Sequence, residues 1–423
     1  MKNYISSERQ YLFEPNVYIE FLVQISGDPE PEDLVFAVKA AFSNNESTMS
    51  RIFLDKDGTA FYEKMDKSGC NVSIKHRDWK EIIKENVSIA FNIHQGELMR
   101  VFIIPSREKV FLLIISHHLA GDAKSIVYFI EDVLKALSGE HLEYKPLHLV
   151  SSDDCPKESK LPFYFKLYAD SINKKWRKNS KNFSADDYFK IHETYWKNHY
   201  SQVIYESFSP EEMNRIKSCA KKMGVTINSF ITTAFLKADT NNDQVGIAVD
   251  ARIDHNCSMS NQVTGINVKH RYSDKKSFAE NASIIHQKIH KKLKNPLVKF
   301  FVLRFMPLFD PSLIDSMLLH INGLYENKVT SKFSKLMAYK GKKIKNLGIT
   351  NLAKLDIESK YGPYKITKVL FIAPVSSYTK NIISVVTLED EMMFSYHFMS
   401  TNNNIKKEWD FFAKAIQNIR EAI

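Results

Sequence analysis

Ser116-His117-His118-Leu119-Ala120-Gly121-Asp122-Ala123-Lys124-Ser125 is the stretch on which the reading of this chain turns. Before it runs Val110-Phe111-Leu112-Leu113-Ile114-Ile115, an unbroken apolar run without Gly or Pro, the pattern of a buried strand. After it come Ile126-Val127-Tyr128-Phe129-Ile130, then Val133, Leu134 and Leu137, with Glu131, Asp132 and Lys135 between them. That is helical spacing, and Ser138-Gly139 supplies a stop. Two histidines, an acid and a hydroxyl are therefore expected on a loop between a buried strand and a helix, where rigid flanks can aim their side chains. Adjacent histidines on an extended chain point to opposite faces, and no nearby Cys or Glu completes a ligand set, so no metal site is expected.

The pattern His-His-x-x-x-Asp resembles the signature of the chloramphenicol-acetyltransferase-like superfamily. Its members include nonribosomal-peptide condensation domains, alcohol acetyltransferases, wax-ester synthases and polyketide-associated acyltransferases. The resemblance implies that His118 is a general base, His117 its supporting neighbour and Asp122 a structural acid. Ser125 matches a small hydroxyl residue common in the family. The family usually has Gly after the acid, and here that position is Ala123. The implied fold is α/β (α+β): two chloramphenicol-acetyltransferase-like halves arranged as a V, with a channel between them and His118 at its middle.

Other stretches agree in order along the chain. Phe91, Gly96, Leu98 and Arg100 resemble the family's approach to the signature strand, and Gly224-Val225-Thr226 matches a segment of its second half. Val245 to Ile253 reads as a strand ending in Asp250-Ala251-Arg252. The resemblance implies that Arg252 pairs with Asp122, and a charged Asp at a domain junction is costly without a cation. Val263-Thr264-Gly265-Ile266-Asn267-Val268 is similar to a family strand near the channel. Leu347 to Ala353 resembles the Ser-Asn-x-Gly segment of alcohol acetyltransferases, with Thr350, Asn351 and Ala353 at the matching positions. A Thr hydroxyl and an Asn amide there can donate to a developing oxyanion. The Asp-Phe-Gly-Trp-Gly motif of the plant branch is absent.

Composition sets the outer limits. The chain has 423 residues, 44% hydrophobic and 26% charged, the balance of a globular protein with room for two domains. No stretch reaches the roughly 20 apolar residues of a membrane span, and the first residues lack a signal-peptide core. Cys70, Cys155, Cys219 and Cys257 show no paired spacing, so a reducing, cytoplasmic setting is expected. The net charge is +10, yet no zinc-finger, RNP or helix-turn-helix pattern accompanies the lysines, including the short runs 174–178 and 342–345. Nucleic acid is therefore not the expected partner. A phosphate-bearing acyl carrier accounts for the excess, as does solubility alone.

Three segments follow: 1–160 with the signature loop, a crossover at 161–190, and 191–423 completing the channel. The crossover carries an amphipathic helix near Phe163 to Trp176 whose aromatic and basic mix suits either a membrane surface or, by preference, burial against the second half. Phe300 to Leu324, interrupted by Pro307 and Pro311, reads as two helices. Asn404 to Ile423 closes the chain as a helix with Trp409, Phe412, Ala415 and Ile416 on one face. The resemblance implies an acyltransferase that moves an acyl group from acyl-CoA or a carrier-bound phosphopantetheinyl thioester to an alcohol or amine. No bound cofactor is required, and a monomer is expected. The alternative is a non-catalytic, condensation-like module that docks a carrier protein or binds a ligand.

Overall fold

The apolar run at 110–115 lies inside the strand Lys109–His117, near the centre of a six-stranded sheet. Across that sheet the order is Lys360–Tyr361, Tyr364–Ile372, Tyr18–Ser26, Lys109–His117, Met99–Ser106 and Asn71–Ile74. Tyr18 pairs with His117 and Ser26 with Lys109 on one side, and Met99 pairs with Ser116 on the other. A strand flanked on both sides and covered on both faces has no place for polar side chains. The helices Pro31–Asn44 and Ala123–Leu137 cover one face, where Phe42 and Phe129 stack. The computed structural model describes residues 2–107, 109–252, 257–337, 347–377, 379–400 and 404–423, so the basic run at 342–345 and Ile253 lie outside the described residues.

The second sheet runs Val263–Lys269, Gln244–Asp250, Leu347–Lys354, Asn381–Leu388, Glu391–Ser400 and Tyr200–Phe208. It carries its own core with the helices Pro210–Lys222, Ile227–Ala238, Phe278–Leu293 and Ile405–Ala422. Ser209 caps the first of these in a capping box with Glu212, and Ser277 does the same with Glu280. In the last helix Phe412, Ala415, Ile416 and Ile419 are buried, but Trp409 is 51% exposed. Trp409 shares the face of Ile416 around the helix, but it lies in the first turns, where that face is left uncovered.

Two features cross the expected segments. Tyr364–Ile372 lies late in the chain yet pairs with Tyr18–Ser26 in the first sheet. Side chains of the second sheet hold its end: the Ser384 hydroxyl accepts from the Ala373 N–H at 2.9 Å, and Ser395 donates to the Phe371 carbonyl at 2.6 Å. The crossover holds two helices rather than one, Phe163–Trp176 and Ala185–Asn198. The second starts at a Ser184/Asp187 capping box and packs Tyr188 and Ile191 into the first core. In the first, Trp176 Nε1 donates to Ser312 at 2.9 Å and Asn173 to the Leu308 carbonyl at 2.8 Å. Only one side of that helix is buried, so burial accounts for half of its apolar residues.

The region expected as two helices from 300 to 324 is more divided. It contains Phe301–Phe305, a 3₁₀ turn at Met306–Leu308 and Pro311–Ile321, and the short helix Pro296–Lys299 comes just before it. Proline at 296, 307 and 311 stands at the first or second position of three of these pieces, where its missing N–H is no loss.

Candidate active site

Strand pairing carries the signature further than a loop. His117 is the last strand residue, opposite Tyr18, and the His118 N–H donates to the Val17 carbonyl at 3.0 Å. The turn that follows is tied down from several sides. Tyr62 donates to the Leu119 carbonyl at 2.7 Å and Ser47 to that of Ala120 at 2.7 Å. Gly121 sits at φ +148°, and a Cβ there would lie 2.6 Å from the Cβ of Ser125. Only glycine lets the turn close this tightly onto the following helix.

Asp122 caps that helix and accepts the Ser125 N–H at 2.9 Å. Arg252, from the opposite lobe, grips the same carboxylate with two nitrogens at 2.8 and 3.0 Å. The Gln262 N–H donates to it at 2.9 Å. Ser125 Oγ lies 3.0 Å from Asp122 and 2.8 Å from the Ser260 carbonyl, so its single proton is shared between two acceptors. Burial alone would raise the Asp122 carboxyl, but the Arg252 charge and these hydrogen bonds outweigh it and hold the group below the usual carboxylate range. The acid is thus fully occupied in joining the two lobes.

The two histidines differ. His117 is fully buried among Tyr18 and Phe91, and its Nδ1 accepts the Leu119 N–H at 3.1 Å. Burial, reinforced by His118, His192 and Arg100, pushes its pKa down to about 3. His118 is 8% exposed and stacks face to face on Tyr11, with ring centroids 4.2 Å apart and planes 4° from parallel. Its Nδ1 is buried without a hydrogen-bond partner. Nε2 is not closed off. Burial lowers the His118 pKa to about 4, although Asp122 pulls the other way. At neutral pH the ring is therefore uncharged.

Thr350 and Asn351 lie on Leu347–Lys354, opposite Ser384 and Val385. With Asp122, Lys124, Arg252 and Tyr128 they line a cavity of about 170 Å³ between the lobes, and His118 is not among its walls. The Asn351 side-chain oxygen accepts the Ala353 N–H at 2.7 Å, so only its amide nitrogen is left to donate outward. Ala353 has φ +58°, a left-handed conformation that glycine adopts without strain.

Three contributors had no signal in the sequence. Tyr11 and Glu8 come from the 3₁₀ turn Ser7–Tyr11, a polar stretch without periodicity. Glu8 is buried; it accepts from the Asn261 N–H at 3.1 Å, and its other oxygen stands 3.1 Å from the Tyr62 hydroxyl, whose proton goes to Leu119. Burial pushes its pKa up to about 8, so it is protonated at neutral pH. The third is the segment Ser260-Asn261-Gln262, which reaches from the second lobe to Asp122 and Glu8 through its backbone. Backbone contacts leave no mark on residue type. Among the described residues no group of three or more His, Cys, Asp or Glu is arranged to hold a metal ion.

No family sequence model matches the chain and no curated sequence is similar to it; the likeness lies in the three-dimensional structure. The chain matches polyketide synthase associated protein 5 from Mycobacterium tuberculosis with a TM-score of 0.64 at 11% identity, over 100% of this chain and 98% of that one. It matches the trichothecene 15-O-acetyltransferase from Fusarium sporotrichioides at 0.64 and 12% identity, over 98% and 94%. The first condensation domain of the calcium-dependent antibiotic synthetase matches at 0.63 and 12% identity, over 100% and 96%. The chain therefore has the α/β fold of these proteins, a condensation domain and an acetyltransferase among them.

Proposed function

We propose that this protein transfers an acyl group from a thioester donor to an alcohol or amine, with His118 as general base. The observation that carries the reading is the state of that imidazole: uncharged, fixed in plane by Tyr11, closed at Nδ1 and open at Nε2. Nε2 takes the proton of the acceptor O–H or N–H as the acceptor attacks the thioester carbonyl. The tetrahedral intermediate collapses with loss of the thiolate. The imidazolium then returns its proton to the sulfur, so the products are an ester or amide and a free thiol. The acyl group never resides on the protein, and no Ser or Cys nucleophile is needed.

Asp122 and Arg252 hold the His118 turn between the lobes and exchange no proton. His117, enclosed and bonded to the Leu119 N–H, shapes the same turn. Thr350 and Asn351 are the donors assigned to the developing oxyanion. The cavity beside them, where Lys124, Arg252 and Lys354 are balanced by Asp122, Asp250 and Asp356, suits the polar, uncharged arm of coenzyme A or of a carrier-bound phosphopantetheine. That assignment of donor fits the positive charge of the chain.

The test crosses acyl-CoA and acyl-carrier donors against alcohols and amines, with products read by mass spectrometry. One donor class should give product, and His118→Ala should lower turnover by roughly 10²–10⁴. Unchanged turnover in that variant overturns the base. Tight carrier binding with no transfer to any acceptor overturns the enzyme.

A further inference from the structure

The helix Phe163–Trp176 carries on its outer side Phe163, Tyr164, Leu167 and Tyr168, which are 69%, 62%, 53% and 43% exposed. Single exposed apolar residues are ordinary, but four adjacent ones are a patch. At about 100° per residue the four fall within an arc of about 140°. Phe165, Ala169 and Trp176 lie on the opposite side and pack into the protein. The patch is therefore not the ragged edge of the core but a second apolar face, turned to solvent.

Charge surrounds it. Residues 157–181 contain eight Lys and Arg against two acids. Further along the helix the outward arc that holds the aromatics is continued by Lys174 and Lys175, both exposed. One helix thus offers large rings in its first turns and cations in its last, on the same side. The neighbouring helix Lys328–Met337 packs against it and presents Lys332, Lys335 and the 39% exposed Leu336.

We infer that this face docks the protein onto an anionic lipid surface, lying in the headgroup plane. Bulky rings and a leucine enter the acyl boundary while lysines meet lipid phosphates, the division of labour of an interfacial helix. The charge favours lipid over a second copy of this chain, because a second copy would bring the same cations to the contact. An acidic carrier protein also complements the charge. However, Phe163, Tyr164, Leu167 and Tyr168 all stand outward from the helix, and a folded carrier would have to match their shape, whereas a fluid bilayer adapts to it. The inference does not depend on the reaction proposed above.

The experiment is flotation of the full chain with vesicles of phosphatidylcholine, with and without phosphatidylglycerol. The protein should float with the anionic vesicles only, and high salt should release it. Phe163→Ser combined with Leu167→Ser should weaken partitioning at least tenfold. Lys174→Gln and Lys175→Gln should weaken it about fivefold each. All four positions are solvent-exposed, and unfolding curves matching the parent protein will show that the variants fold. Absence of binding to anionic vesicles overturns the inference. So does binding that these substitutions leave unchanged, or a carrier complex or dimer that alone requires them.

Discussion

Replacing Arg252 with methionine tests the element that holds the His118 turn to the opposite lobe. The Arg252 and Asp122 side chains are 5% and 4% exposed, and two nitrogens of one meet both oxygens of the other. Removing the guanidinium leaves the carboxylate buried with the Ser125 and Gln262 N–H groups and the Ser125 hydroxyl, but with no countercharge. Breaking a buried pair from one side costs about 3–5 kcal/mol. Replacing both partners, Asp122→Asn with Arg252→Met, removes the stranded charge as well, and should cost less than the sum of the single changes by about 1–3 kcal/mol. The pH dependence follows from the depressed Asp122 pKa. In the parent protein its contribution is full above the ordinary carboxylate pKa and is lost as pH falls through the folded value. Without Arg252 the carboxyl rises and protonates, so the gap between variant and parent is widest near neutral pH and narrows on acidification. Urea unfolding at about pH 7 and about pH 5 measures both effects. A loss below about 1 kcal/mol at neutral pH, or single changes that add without coupling, refutes the reasoning.

Two further outcomes are expected. Because burial lowers His118 to about 4, kcat/KM should stay level as pH falls through the ordinary histidine range and drop only near that lower value, since protonation removes the Nε2 lone pair. An acid limb centred at about 6.5, the unperturbed histidine value, would show that burial does not set its charge. Ala353→Gly should raise stability by about 0.5–1 kcal/mol, because φ +58° strains an L-residue and suits glycine. A thermal unfolding midpoint that stays level or falls would show that the turn carries no such strain.

The first lobe was legible where burial is periodic and local. The run 110–115 and the spacing from Ile126 to Leu137 place a strand and a helix around the signature, and both are present as Lys109–His117 and Ala123–Leu137. Caps were equally readable: Ser209-Pro210 and Thr226 begin helices because their side chains and backbone already suit the first turn. Ser184-x-x-Asp187 carries the same signal for Ala185–Asn198 within a stretch that is otherwise polar. The outer face of Phe163–Trp176 shows the limit of pattern. Apolar spacing says which residues share a face, not whether a neighbour covers it.

By itself the sequence determined the reactive residue types and the strand and helix that flank them. These depend on contacts among near neighbours, which composition and period record. Only the tertiary structure decided that Tyr11 stacks on His118, that the Gln262 backbone joins Arg252 at Asp122, and that Tyr364–Ile372 completes the first sheet. Each of these joins segments far apart in the chain through ring faces, backbone groups or strand edges, and such surfaces look alike in sequence until folding selects which of them meet.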